Sequence, residues 1–130
     1  MRHAISTPAA PQAVGPYSQA VRAGSWLFVS GQIPIDPATG QVVAGDAAAQ
    51  TRRVMENLGE ILKAAGCSFD QVVRTTVYLA DIAEFSAMNE VYGQFFSAPA
   101  PARSTIQAAR LPRDAKLEID VIAVLENGAA

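Results

Sequence analysis

Between Asp46 and Gly66 the chain carries Val54, Leu58, Ile61, Leu62 and Ala65 on one face of a helical repeat. Asp46 is a suitable N-cap and Gly66 a C-terminal stop, so both ends of a long amphipathic helix are written locally. A helix with a single apolar stripe has to lay that stripe on another element, and the rest of the chain reads mostly as strands. Tyr17 to Ala23 and Ser25 to Gln32 predict an antiparallel hairpin turning at Gly24, its second strand holding the apolar run Trp26-Leu27-Phe28-Val29. Pro34, Asp36-Pro37 and Thr39-Gly40 punctuate a loop that returns through Gln41-Val42-Val43.

After the helix, Val72 to Leu79 predicts a β-branched strand, and Asp81-Ile82-Ala83-Glu84 has the form of a capping box. Phe85, Met88, Val91, Tyr92, Phe95 and Phe96 then recur at helical spacing and read as core. Strands are expected from Arg103 to Ala109 and from Lys116 to Leu125, with a turn around Pro112-Arg113-Asp114. In the last strand Ile122 and Val124 leave both faces apolar near its end, which implies a partner surface. The order predicts an α+β sandwich: one mixed sheet with two helices on one face. Its opposite face, expected to bear Tyr17, Arg103 and Glu118, would need water or another subunit to cover it. A cyclic oligomer would bury that face and create clefts between chains.

Residues 1–130 suit a single domain, with 1–14 as an extended lead-in punctuated by Pro8 and Pro11, and 126–130 as a tail. Hydrophobic residues make up 50% of the chain and charged ones 17%, enough apolar surface for a core and a subunit interface. Net charge is −2, and the ten Lys and Arg form no basic stripe, which weighs against nucleic acid as a partner. Cys67 is the only cysteine and reads as a small part-buried hydrophobe; His3 is the only histidine and lies in a segment expected to be mobile. One cysteine and one histidine exclude disulfide frameworks, Cys/His metal sites and Ser–His or Cys–His dyads within the chain. No run approaches a membrane span or a signal peptide, so a cytoplasmic location is expected.

Catalysis would then fall to Arg, Glu, Asp, Tyr, Ser or Thr. Arg103, set between Pro101 and a strand, offers a planar fork of donors suited to a carboxylate. Glu118, in Leu117-Glu118-Ile119-Asp120-Val121, offers a carboxylate that can move protons. An Arg and a Glu on a polar sheet face also read as a solvated weak ion pair, and spacing alone does not separate the two.

The stretches Gly15-Pro16-Tyr17-Ser18-Gln19-Ala20, Ser30-Gly31-Gln32-Ile33-Pro34, Thr75-Thr76-Val77-Tyr78-Leu79, Pro101-Ala102-Arg103-Ser104, Ala109-Arg110-Leu111-Pro112 and Leu117-Glu118-Ile119 closely resemble the RidA (YjgF-type) reactive intermediate deaminases. The resemblance runs in order from about Ile5 to Leu125. It implies a chorismate-mutase-like fold (bacillus type), a homotrimer with sites between subunits, and hydrolysis of 2-imino acids derived from 2-aminoacrylate and 2-aminocrotonate. It further implies protection of pyridoxal-phosphate enzymes from those enamines. Carried over by position, Arg103 would bind the substrate carboxylate and Glu118 would activate water, while Tyr17, Ser30, Gly31, Asn89 and Thr105 would line the pocket. No metal and no organic cofactor is implied. Family members carry a cysteine where this chain has Thr105, and Ala100, not an aromatic residue, precedes Pro101. A non-catalytic 2-keto acid binder would use the same Arg103 clamp and leave Glu118 dispensable; ribonuclease or holdase roles fit an acidic chain less well.

Overall fold

The computed structural model describes residues 1–125; the expected tail at 126–130 lies outside the described residues. Ten elements matter for the site: β1 (Arg2–Ile5), β2 (Ala20–Ala23), β3 (Trp26–Gln32), β4 (Ile35–Asp36), β5 (Gln41–Val42), α1 (Ala47–Ala64), β6 (Val72–Leu79), α2 (Phe85–Tyr92), β7 (Ala102–Gln107) and β8 (Leu117–Val124). Six strands form one sheet in the order β1-β2-β3-β8-β6-β7, and β4 and β5 form a separate small hairpin. Only the β6–β7 pairing is parallel; the other pairings of the large sheet are antiparallel, so the sheet is mixed as expected.

α1 forms where its sequence places it. The Asp46 carboxylate accepts from the Ala49 N–H at 2.9 Å, which satisfies an otherwise orphaned donor of the first turn. At the other end Gly66 adopts φ +84°, and the Cys67 and Gly66 N–H groups return to the carbonyls of Leu62 and Lys63, both at 3.0 Å. That pair of bonds is a Schellman stop, and the left-handed step it needs is the one glycine makes without steric cost. Val54, Met55, Leu58, Ile61 and Leu62 are all buried under the sheet, facing Leu27, Val29, Leu117, Ile119 and Val121. Each such side chain contributes roughly 1.5–3 kcal/mol of burial, so this helix–sheet contact holds the domain together. Cys67 is half-buried against the same core, and burial pushes its thiol pKa up, as expected of a packed hydrophobe.

Three expectations are corrected. The segment around His3, expected to be mobile, is a strand: Arg2–Ile5 pairs with β2, placing His3 opposite Arg22, because β2 would otherwise leave an unpaired edge. Tyr17 to Gln19 lies outside β2, in a strap that covers one end of β3. Gln19, 3% exposed, anchors the strap: its amide donates to the carbonyls of Thr7, Ala10 and Pro11 and its oxygen accepts from the Thr7 N–H. Finally, Asp81 caps a single 3-10 turn, Ile82–Glu84, by accepting from Ala83, and Glu84 lies 3.9 Å from the Lys116 ammonium. The turn leads directly into α2.

Candidate active site

Strand register sorts the side chains between the two faces of the sheet. Val29, Val121, Thr75 and Arg103 are successive cross-strand neighbours on β3, β8, β6 and β7, and the first three are buried beneath the helices. Arg103 therefore points to the helix face. Glu118, Tyr78 and Ile106 form the corresponding row on the open face. The expectation that Arg103 and Glu118 share a face is overturned. Alternation fixes which residues of a strand go together, and only the parallel register of β7 on β6 decides which side of the sheet each set takes.

On the open face the site is built around a bulge. Val29 pairs with Val121 and Gln32 with Ile119, so Ser30 and Gly31 together oppose Asp120. The Glu118 carboxylate lies directly over Gly31: a Cβ added there would come within 2.9 Å of Glu118 Cδ and closer still to one oxygen. Gly31 thus leaves room for the carboxylate, which is a close-approach role and not a turn. Burial, and after it the charge of Asp120, pushes the Glu118 pKa up from its ordinary value. Asp120 itself accepts a hydrogen bond from the Tyr78 hydroxyl at 3.1 Å. The Ser30 hydroxyl donates to the Ser18 carbonyl at 2.6 Å, and the Ser30 N–H to Gln19 at 2.9 Å, so Ser30 fastens the strap to the bulge. Tyr17, on that strap, stands between two hollows, one of about 640 Å³ bounded also by Phe28 and Ser30, the other of about 310 Å³ bounded by Gly31, Ile33 and Pro112.

The second cluster stands on the helix face at the free edge of the sheet. Arg103 donates to Asn89 Oδ1 at 2.7 Å, and its guanidinium carbon lies 4.8 Å from the Tyr92 ring centroid and 5.5 Å from that of Phe85. Phe85, Asn89 and Tyr92 are one helical face of α2. Asn89, expected in the pocket lining, holds the guanidinium; the sequence signal for this was its spacing from Phe85 and Tyr92. Among the described residues no carboxylate pairs with Arg103, which leaves the rest of its donors for a ligand. Two residues along the same face of β7, the Thr105 hydroxyl is buried and has no hydrogen-bond partner. A buried unpaired hydroxyl is costly, and it marks a place where a further polar group fits. Among the described residues no group of three or more His, Cys, Asp or Glu side chains could hold a metal ion.

The sheet order, with both helices on one face, defines the chorismate-mutase-like α+β class of protein. Within it, the chain belongs to the RidA (YjgF-type) family: the family model described as Endoribonuclease L-PSP matches residues 7–125. The human 2-iminobutanoate/2-iminopropanoate deaminase is 49% identical over 124 residues, covering 95% of this chain and 90% of its own. The solved structure of RidA from an Antarctic Psychrobacter superposes with a TM-score of 0.91 at 41% identity, covering 95% of this chain and 99% of that one. The structure of E. coli TdcF with bound serine gives a TM-score of 0.90 at 48% identity over 94% of this chain and 98% of that one. Imine deamination is an activity of this family, and the chain is one of its enzymes.

Proposed function

We propose that the chain hydrolyses 2-imino acids, formed from enamines such as 2-aminoacrylate and 2-aminocrotonate, to 2-keto acids and ammonia, in sites shared between the chains of a homotrimer. The observation that carries this reading is the division of two complementary half-sites between opposite faces of one sheet. Imine hydrolysis needs a cation to hold the α-carboxylate and a carboxylate to move protons; Arg103 supplies the first and Glu118 the second. Within one chain the sheet separates them. A second copy that brings its β7 edge to the open face of the first joins them, and cyclic repetition gives equivalent sites. The open face supports such packing, since Trp26 and Phe28 are 49% and 45% exposed there, beside Val21, Ile122 and Val124.

The chemistry follows from the groups. An enamine tautomerises to the imine without help. Arg103 and Asn89 hold the substrate carboxylate, so that the C=N carbon meets a water positioned by Glu118. As the water oxygen bonds to carbon, Glu118 takes one of its protons and passes it to the imine nitrogen, giving a neutral carbinolamine and leaving Glu118 ionised again. Glu118 then takes the carbinolamine hydroxyl proton, and with its pKa raised it is a ready donor of that proton to the amino nitrogen; the C–N bond breaks, ammonia leaves, and the carbonyl of the keto acid forms. Removal of such enamines would spare the pyridoxal-phosphate enzymes that they attack. The serine held by the E. coli relative carries the same α-carboxylate, which supports this substrate class. The endoribonuclease description of the family model finds less support in a chain of net charge −2 without a basic stripe.

The test is complementation. Arg103→Ala and Glu118→Gln trimers should each release ammonia from 2-aminoacrylate generated in situ at least ~10²-fold more slowly than the wild type. Trimers reassembled from a one-to-one mixture should recover activity in about a quarter of their sites, those pairing an intact Arg103 with an intact Glu118 across an interface. Mixed trimers as inactive as their parents, beside an active wild type, would exclude a shared site. A Glu118→Gln protein with full activity would instead favour a role for this chain as a keto-acid binder.

A further inference from the structure

We propose that Tyr92, tethered through its hydroxyl to Thr75, is a positioning residue that fixes the plane of the Arg103 guanidinium for the substrate carboxylate. The inference rests on the deaminase reading for its substrate, and on geometry for the rest. Thr75 is the direct register neighbour of Arg103 across the parallel β6–β7 pair. Its hydroxyl lies 2.8 Å from the Tyr92 hydroxyl, and the Tyr92 ring in turn lies under the guanidinium at 4.8 Å. The three residues therefore close a loop, strand to strand, hydroxyl to hydroxyl, ring to cation.

The loop is rigid where it needs to be. Thr75 is 1% and Tyr92 6% exposed, so the hydroxyl pair sits in the core, where each oxygen has the other as partner. Such a pair adds little net stability, because folding exchanges it for bonds to water. What it does supply is a ring that cannot turn about its axis to the helix. A guanidinium stacked on a fixed face, with Asn89 Oδ1 taking one N–H at 2.7 Å, is confined to one plane, and its outward donors form a preset fork. Without the ring, a long side chain on a free sheet edge would have to be ordered by the substrate itself, at a cost in affinity. The Phe85 ring at 5.5 Å flanks the same cation but lies at the exposed end of the cluster, with no hydrogen-bonding handle.

The experiment compares Tyr92→Leu, Tyr92→Phe, Thr75→Val and Thr75→Ser, by calorimetric titration with 2-ketobutyrate and by steady-state deamination kinetics. Loss of the ring in Tyr92→Leu should weaken the Kd and raise the KM about 10-fold or more, with kcat within about twofold, because the carboxylate is held equally in the ground and transition states. Tyr92→Phe and Thr75→Val, which keep the ring and remove the tether, should each cost about threefold in Kd, and Thr75→Ser should recover wild-type binding. A folded Tyr92→Leu protein that binds 2-ketobutyrate within twofold of wild type overturns the proposal, as does a loss confined to kcat. Should Tyr92→Leu fail to assemble, the Thr75 pair decides: wild-type affinity in Thr75→Val overturns it. A wild-type protein that binds 2-ketobutyrate but releases no ammonia refutes the deaminase reading, and the Kd series then still judges the cradle. A wild type that does not bind 2-ketobutyrate overturns both.

Discussion

Gly31→Ala should slow deamination about 100-fold or more in a protein at least as stable as the wild type. The backbone at Gly31 does not lie in the left-handed region, so alanine adopts it without strain, and a Gly→Ala exchange at such a site stabilises by ~0.4–1 kcal/mol through the unfolded chain. The added methyl would come within 2.9 Å of Glu118 Cδ and 3.1 Å of Cγ, against ordinary contact from 3.4 Å outward. Those carbons must retreat by up to about half an ångström, and the nearer oxygen by considerably more. The atoms in the way belong to the end of a flexible side chain, so rotation of Glu118 relieves the clash and the sheet stays in place. The displaced carboxylate no longer addresses the water. A misplacement of this size costs about 100-fold in rate, and complete loss of a general base up to ~10⁴-fold. Thermal melting and the coupled ammonia assay read the two effects separately. Because both changes disable one group, Gly31→Ala combined with Glu118→Gln should be no slower than Glu118→Gln alone. A Gly31→Ala enzyme within threefold of wild type, or a double variant slower in proportion to both single losses, would refute the argument that Gly31 exists to seat Glu118.

Two further outcomes follow from the open face. Asp120 is the second cause of the raised Glu118 pKa, after burial, so Asp120→Asn should lower it; if Glu118 must be ionised to accept a proton, the acid limb of the kcat/KM profile then moves to lower pH, and an unmoved limb would remove Glu118 from that role. Phe28→Lys places a charge in the exposed apolar patch without touching the core, and light scattering should find monomers with unchanged far-UV circular dichroism and no deamination; an active monomer would refute a site built between chains.

What could be read from the chain follows the range of the forces involved. α1 is legible because its stripe, its Asp46 cap and its Gly66 stop all act within a turn of the residues that encode them, and the expected span of β6, Val72 to Leu79, is the observed one. β1 is not legible: Arg2 to Ile5 alternates weakly and becomes a strand only because β2 offers an edge. The site fails in one specific way. Arg103, Ser104, Thr105 and Ile106 put mixed polarity on both faces of β7, so nothing local says which pair faces the helices. Tyr92 was legible as core but not as the floor under a cation, since helical spacing does not reveal what lies beyond the ring. The register of β7 on β6 settles both, because it sets Arg103 beside Thr75 and hence beneath α2. A slip of one residue would turn Arg103 to the open face, onto the same side as Glu118, and a single chain could then hold both groups. In the register observed it holds them on opposite sides, so on the proposed reading the enzyme exists only when chains associate, and the parallel pairing at the edge of the sheet makes assembly a condition of catalysis.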